Sequence, residues 1–139
     1  MLFPKKVKFR KWQTGRKDMS ALKADTRGIT IAYGSYGLKA ETSGRIRSNQ
    51  LEAARKAMAR AMTKTGKSWI RIFPDRPYTA KPAEVGMGKG KGDPQGFCME
   101  IRPGRVIFEI DGMDEAGAKE ALRKAGTKLP VRTKFISRA

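Results

Sequence analysis

The segments SNQLEAARKAMARAMTK at positions 48–64 and KSWIRIF at positions 67–73 decide the class of fold. Apolar residues of the first segment recur at the three- and four-residue spacing of one helix face, at Leu51, Ala54, Met58, Ala61 and Met62. This pattern predicts a helix that begins with Ser48 as its N-cap and has Gly66 as its C-terminal cap. The second segment alternates in the manner of a strand. A helix followed directly by a strand indicates a mixed fold.

Most of the remaining pattern predicts strands. Strand-like patterns occur at residues 28–40, 97–102, 105–110 and 131–136. The first of these contains a glycine bend, and Pro103-Gly104 predicts a hairpin turn that pairs the two middle segments. The prolines at positions 74, 77 and 82 are expected to break regular structure.

A second helix completes the predicted fold. It is expected to run from Asp114, its cap, to about Thr127, with a buried stripe of Ala118, Ala121, Leu122 and Ala125. The result is an α+β fold in which two helices pack on a mainly antiparallel sheet. We expect a basic arm over residues 1–27 and a single globular domain over residues 28–139, with a flexible loop at residues 82–96.

The charge balance indicates the kind of partner. The chain has 31 Lys and Arg against 13 Asp and Glu, a formal net charge of +18 over 139 residues. A domain with this charge adheres to polyanions, and the release of counterions from phosphate drives its binding to nucleic acid. A basic membrane-surface protein is the weaker alternative, because the basic residues are spread along the chain and not gathered on one amphipathic helix.

The arm combines dense positive charge with aromatic rings. Its basic residues include Lys5, Lys6, Lys8, Arg10, Lys11 and Arg16, and its rings are Phe3, Phe9 and Trp12. Because the apolar positions have no helical or strand period, we predict an extended arm that becomes ordered only against a partner. The rings could stack on bases or sugars while the charges bind phosphate. The alternative is a solvated tail.

The segment GMGKGKG at positions 86–92 is the sharpest local feature. A backbone with alternate glycines can approach a polyanion closely, while Lys89 and Lys91 reach phosphates. A flexible surface loop is the alternative.

Arg55 and Arg60 lie on the polar side of the first predicted helix. This side of the helix is either solvated or a face that docks on RNA.

The acidic residues are concentrated in one part of the chain. Six of the thirteen lie between positions 100 and 120, namely Glu100, Glu109, Asp111, Asp114, Glu115 and Glu120. We therefore expect this region to face away from nucleic acid. The arm, the first helix and the glycine loop would then form the basic side.

The chain has few residues for catalysis. With no histidine and one cysteine, it has no Ser–His or Cys–His pair and no metal cluster of sensible spacing. The segment TGKS at 65–68 resembles the end of a phosphate-binding loop, but Ala61 replaces the required glycine and the helix precedes it. We predict no enzyme activity, no cofactor and no metal. Cys98 is expected to be a small buried residue, and no segment approaches the ~18 apolar residues of a membrane span.

Several long motifs resemble one family. They are FPKKVKFRK at 3–11, YGLKA at 36–40, QLEAARKAM at 50–58, WIRIFPDRP at 69–77 with TAKP at 79–82, MGKGKG at 87–92 and KLPVRTKF at 128–135. Together they resemble the bacterial-type large-subunit ribosomal protein L-sixteen family over essentially the full length. The family usually has Arg where this chain has Gly86, and Glu-Tyr-Trp where it has Gln-Gly-Phe at 95–97. The added glycines predict a more mobile loop.

The resemblance implies an α/β-hammerhead-like fold and a structural role in the large ribosomal subunit. Its implied partners are 23S rRNA, tRNA at the aminoacyl site near the peptidyl-transferase centre, and other large-subunit proteins. The resemblance also implies that the protein enters late in subunit assembly. It implies no membrane partner, no small-molecule substrate and no homo-oligomer. The predicted RNA-binding residues are Lys5, Lys6, Lys8, Arg10, Lys11, Arg16, Arg55, Arg60, Arg71, Gly88, Lys89, Gly90 and Lys91. The expected location is the cytoplasmic ribosome, with an organelle ribosome as the alternative. The alternative function is a free-standing nucleic-acid chaperone or architectural protein.

Overall fold

The computed structural model describes residues 1–13, 22–88 and 90–138. Its elements are β1 (Tyr36–Ala40), β2 (Gly44–Arg47), α1 (Ser48–Ala61), β3 (Lys67–Ile70), β4 (Arg76–Ala80), β5 (Asp93–Ile101), β6 (Val106–Asp111), α2 (Glu115–Gly126) and β7 (Thr133–Ser137). Two helices combine with strands that pair antiparallel, so the predicted α+β class is confirmed.

The described strands form two sheets where one was predicted. The larger sheet has the order β3-β6-β1-β7, and the smaller sheet has the order β2-β5-β4. In the larger sheet Leu38 lies opposite Phe108 on one side and Phe135 on the other. In the smaller sheet Ile46 lies opposite Met99. The two helices pack against each other, α1 contacts β2 and β5, and α2 contacts the larger sheet, so both sheets share one core.

The predicted hairpin between residues 97–102 and 105–110 is wrong in its pairing. Gly104 does form a turn, with a φ of +97° and a hydrogen bond of 3.3 Å from the Arg105 N–H to the Arg102 carbonyl. However, the turn carries the chain from one sheet to the other. All five residues 106–110 are buried, and β6 has β1 and β3 as its neighbours. Both edges of β6 are therefore occupied by strands of the larger sheet. β5 lies in the smaller sheet, where it pairs with β2 and β4.

The first helix begins and ends differently from the prediction. Ser48 is its first helical residue, whereas Arg47 is the N-cap, and the side chain of Gln50 accepts the Arg47 N–H at 2.9 Å. Met62 is already the C-cap. Gly66 lies beyond the helix, where a β-carbon would meet the Met62 methyl at 2.9 Å. Its role is therefore close packing.

The second helix agrees with its prediction. Asp114 is its N-cap and Thr127 its C-cap. The predicted stripe residues are fully buried, namely Ala118, Ala121, Leu122 and Ala125. The Cys98 side chain is also buried, as expected.

The strand bounds also differ from the predictions. Residues 76–80 form β4 in spite of Pro77, because β4 is an edge strand and an edge residue can lack an N–H donor. β5 already begins at Asp93, within the predicted loop. Of the predicted segment 28–40, only residues 36–40 form a strand. Residues 28–35 are irregular, and their backbone hydrogen bonds include several to the buried Glu109.

Candidate nucleic-acid interface

Three arginines share the outer face of the smaller sheet, and we call Arg45, Arg47 and Arg76 the arginine face. Arg45 lies opposite Glu100, while Arg47 and Arg76 both lie opposite Cys98 on the two sides of β5. Residues that are directly opposite in a sheet point to the same face. Ile46, between the two arginines of β2, points the other way and is buried in the core. The alternation of β2 therefore places one side chain in the core and two arginines outside.

The arginine face has more positive charge than the described acids neutralise. Arg76 forms an ion pair of 2.9 Å with Glu100, and the Arg47 guanidinium lies 4.9 Å from the centre of the Tyr78 ring. The Nε atom of Arg45 is buried without an acceptor in the described part of the chain. Cys98 lies on the same face of β5 as these arginines. Burial raises the pKa of its thiol, whereas the positive charges of the arginines act to lower it. Among the described residues, three guanidinium groups and the carboxylate of Glu100 share this face, and such a surface is suited to phosphate.

Trp12 and Gln13 of the arm contact this face. The Arg76 guanidinium donates to the Gln13 carbonyl at 3.2 Å and lies 5.7 Å from the centre of the Trp12 ring. The Lys91 ammonium donates to the Trp12 carbonyl. The rings of Phe3, Phe9 and Trp12 are 58, 61 and 42 % exposed. The arm thus joins the arginine face to the glycine loop and leaves its rings accessible for stacking.

The glycine loop, residues 81–92, connects β4 to β5 at the edge of the smaller sheet. Gly88 and Gly90 have φ values of +104° and +97°, a region that side chains disfavour. No atom lies within 4 Å of a β-carbon built on Gly86, Gly88 or Gly90. Open space therefore surrounds these three glycines, and the backbone conformation favours glycine at positions 88 and 90.

Residues 4–136 match the sequence model of the family "Ribosomal protein L16p/L10e". The chain belongs to this ribosomal protein family. It is accordingly a structural protein of the large ribosomal subunit, and its location is the ribosome. Proteins of this family are generally structural and not enzymatic. Among the described residues there is neither a helix long and apolar enough to cross a membrane nor a group of three potential His, Cys, Asp or Glu metal ligands.

Most of the predicted RNA-binding residues are exposed. In the arm these are Lys5, Lys6, Lys8, Arg10 and Lys11, and in the loop Gly88, Gly90 and Lys91. Arg16 and Lys89 lie outside the described residues. The structure brings the arm and the loop together through the contact between Lys91 and Trp12.

The remaining predicted sites lie elsewhere. Arg55 forms an ion pair of 2.5 Å with Glu52 and borders a hollow that the arm residue Leu2 also lines. Arg60 borders a separate hollow with basic residues of α2 and the segment after it. The guanidinium of Arg71 is engaged inside the fold, in an ion pair with the buried Glu109. Its predicted contact with RNA stays a prediction.

Half of the clustered acids serve the fold. Glu109 is buried, Glu100 pairs with Arg76, and Asp111 accepts a hydrogen bond of 2.9 Å from the Ser35 hydroxyl. The hydrogen bonds from Gly112 and Ser35 lower the pKa of Asp111. The exposed acids are Asp114, Glu115 and Glu120 around the start of α2. The prediction of a surface that faces away from nucleic acid now rests on these three residues.

Sequence reasoning missed the arginine face. The only local signal was the alternation Arg45-Ile46-Arg47, which a strand would place on one face. Arg76 joins that face through the pairing of β4 with β5, and this register is not visible in the local sequence.

Proposed function

We propose that the chain binds 23S rRNA through the arginine face, the arm and the glycine loop. It helps to organise the aminoacyl-tRNA site near the peptidyl-transferase centre of the cytoplasmic ribosome. The arm, residues 1–27, and the loop contact tRNA, while the body, residues 28–139, fixes their position. Arg55 and Arg60 add contacts to rRNA, and the chain enters late in subunit assembly. The observation that carries the proposal is the meeting of arm, loop and arginine face at Arg76 and Lys91.

The mechanism is electrostatic and steric. Lys and Arg contacts to phosphate supply the affinity, and the folded body determines which nucleotides the arm and the loop can reach. The exposed arm rings can stack on bases, since a stack does not depend on base identity. The loop allows backbone contact with a phosphate, because its alternate glycines place no side chain in the way.

Sedimentation of a native lysate through sucrose gradients tests the proposal. We expect the chain to move with the large subunit at low salt and at moderate salt. Deletion of residues 1–12 should leave a folded body whose affinity for rRNA depends less steeply on salt, by about 0.7–0.9 in log–log slope per lost phosphate contact.

The matched control for the deletion is Arg123→Ala, which removes a basic residue from α2 next to Glu120 and should leave the slope unchanged. If moderate salt strips the chain from the subunit, binding is loose and the alternative of a nucleic-acid chaperone is supported. An unchanged slope after the deletion would mean that the arm is only a solvated tail.

A further inference from the structure

One exposed aromatic ring, that of Tyr33, is held against the larger sheet by several contacts. Tyr33 is 61 % exposed and lies in the irregular segment before β1. A large exposed ring leaves apolar area in contact with water. Hydrogen bonds to the backbone of this segment and contacts on one side of the ring position Tyr33.

The anchor of this segment is the buried carboxylate of Glu109. One of its oxygens, Oε1, accepts the backbone N–H groups of Ala32, Tyr33 and Gly34 at 3.1, 2.8 and 2.9 Å. The other, Oε2, accepts a hydrogen bond from the guanidinium of Arg71. Burial alone would raise the pKa of Glu109, but the hydrogen bonds from Gly34, Arg71 and Tyr33 lower it overall. The carboxylate therefore stays charged and keeps all of its partners.

Close packing behind Tyr33 adds to the rigidity. A β-carbon at Gly34 would lie 2.6 Å from the carbonyl oxygen of Ile110, so only glycine fits against β6 at this point. The N–H of Ser35 donates to that same carbonyl at 3.0 Å. Arg138 donates through its Nε atom to the Gly34 carbonyl at 3.1 Å and through its backbone to the Ser35 carbonyl at 2.8 Å. The segment is thus tied to β6 and to the residue after β7.

The ring of Tyr33 has one covered face and one open face. It stacks on the Trp69 ring, with the centres 6.0 Å apart and 23° between the planes, and the Arg71 guanidinium carbon lies 5.2 Å from its centre. Trp69 and Arg71 are two residues apart along β3 and its extended continuation, so they point to the same side. Tyr33 lies across both of them. These contacts cover one side of the ring, while the residue as a whole stays 61 % exposed.

Further basic side chains lie close to this segment. Besides Arg71 and Arg138, Lys67 at the start of β3 lies opposite Asp111, and both Lys67 and Arg138 help to lower the pKa of Asp111. A flat ring with an adjacent guanidinium matches the shape and polarisability of a nucleobase. The neighbouring cations match the phosphates on either side of that base.

We propose that the open face of Tyr33 stacks on one unpaired base of rRNA, while Lys67 and Arg138 contact the adjoining phosphates. This inference rests on the proposed function, in which the chain binds rRNA. It adds a second contact, on the larger sheet, to the one at the arginine face. The buried pair of Glu109 and Arg71 positions the platform and does not itself contact the base.

The test uses large subunits isolated from cells depleted of the chain and then incubated with purified full-length protein. Tyr33→Ala removes the ring, and Tyr33→Phe is the matched control that keeps it. Both variants keep the backbone N–H that binds Glu109. We expect Tyr33→Ala to bind about 5- to 150-fold more weakly than wild type. Its log–log salt slope should be unchanged, since stacking releases no counterions.

Base-specific chemical probing of the same subunits identifies the nucleotide. We expect one unpaired base to be protected by wild type and Tyr33→Phe and to become reactive with Tyr33→Ala. Equal affinity and equal reactivity of all three proteins would overturn the platform and leave the proposed function intact. Cross-linking of position 33 to a ribosomal protein would overturn it in favour of a protein partner. Failure of the wild type itself to bind the subunits would contradict the proposed function.

Discussion

Replacement of Glu109 by alanine tests whether one buried carboxylate holds the segment before β1 against the larger sheet. The Glu109 side chain is fully buried, whereas that of Arg71 is 19 % exposed. Removal of one partner of a buried ion pair costs about 3–5 kcal/mol, because the other charge is left without compensation. Since Arg71 can regain some water, we expect a value near the lower end, about 3 kcal/mol.

The lost backbone acceptors contribute to the same figure. The Gly34 N–H is buried and would lose its acceptor, at a cost of about 1–3 kcal/mol for an unsatisfied group. This cost overlaps with that of breaking the pair, since relaxation of the segment relieves both. A loss of about 3 kcal/mol is a large part of the roughly 5–15 kcal/mol by which a domain is stable.

Urea unfolding at pH 7, followed by tryptophan fluorescence, measures the effect. With a urea dependence of about 1–3 kcal/mol per molar, the midpoint should fall by about 1–3 M. The matched control is Glu120→Ala, which breaks an ion pair with Arg123. The side chains of Glu120 and Arg123 are 53 and 60 % exposed, so the midpoint of this variant should stay near that of wild type. A midpoint for Glu109→Ala no lower than that of Glu120→Ala would show that the buried carboxylate does not stabilise the fold.

The remaining predictions concern pH, salt and tRNA. Because the folded pKa of Glu109 lies below its ordinary value of 4.5, its contribution is complete above that pH and is lost as the pH falls through the folded pKa. The difference in unfolding free energy between wild type and Glu109→Gln should therefore shrink from pH 7 to pH ~3 in urea titrations. Replacement of Arg45 and Arg47 by alanine should lower the log–log salt slope of rRNA binding by about 0.7–0.9 per lost phosphate contact. Replacement of Lys89 and Lys91 by alanine should impair tRNA accommodation more than subunit assembly, measured by accommodation kinetics and gradient profiles.

Each of these predictions has an outcome that contradicts it. A pH-independent difference between wild type and Glu109→Gln would mean that the carboxylate titrates equally in the folded and unfolded chains. The salt slope of the arginine double variant is compared with that of Arg123→Ala on α2, and equal slopes would remove the arginine face from the interface. Equal loss of assembly and accommodation in the lysine variant would make the loop an rRNA anchor.

Both helices were predictable because their signals are local. The stripe of Leu51, Ala54 and Met58 needs only a period of 3.6 residues, and all three residues are buried. The ends of α1 were less predictable, since Ser48, Asn49 and Gln50 all have side chains that can cap. The N-cap is Arg47, one residue before Ser48, which the sequence indicated as the cap.

Strand pairing was not predictable, because it depends on distant parts of the chain. The turn at Gly104 is present, but its flanking strands belong to different sheets. Pro77 is tolerated because β4 lies at an edge, and the local sequence does not indicate which strand has that place.

The proposed nucleic-acid interface was predictable in composition but not in arrangement. Charge and aromatic content identified the arm, and alternate glycines identified the loop. Their contact through Trp12 and Lys91 joins residues far apart in the sequence. Glu109 was predicted as part of an acidic surface, yet it is an internal acceptor for residues 32–34. Such a role depends on tertiary structure alone.

Directed cleavage of rRNA tests most directly whether the arm and the loop form one nucleic-acid interface. In a Cys98→Ser background, a cysteine at Phe9, at the exposed Met87 or at Glu115 carries an iron chelate that generates hydroxyl radicals in assembled large subunits. We expect the probes at Phe9 and Met87 to cleave overlapping stretches of 23S rRNA and bound tRNA. The probe at Glu115, on the acidic start of α2, should cleave neither stretch. Separate cleavage sites from the arm and the loop, or strong cleavage of the shared site from Glu115, would contradict this expectation.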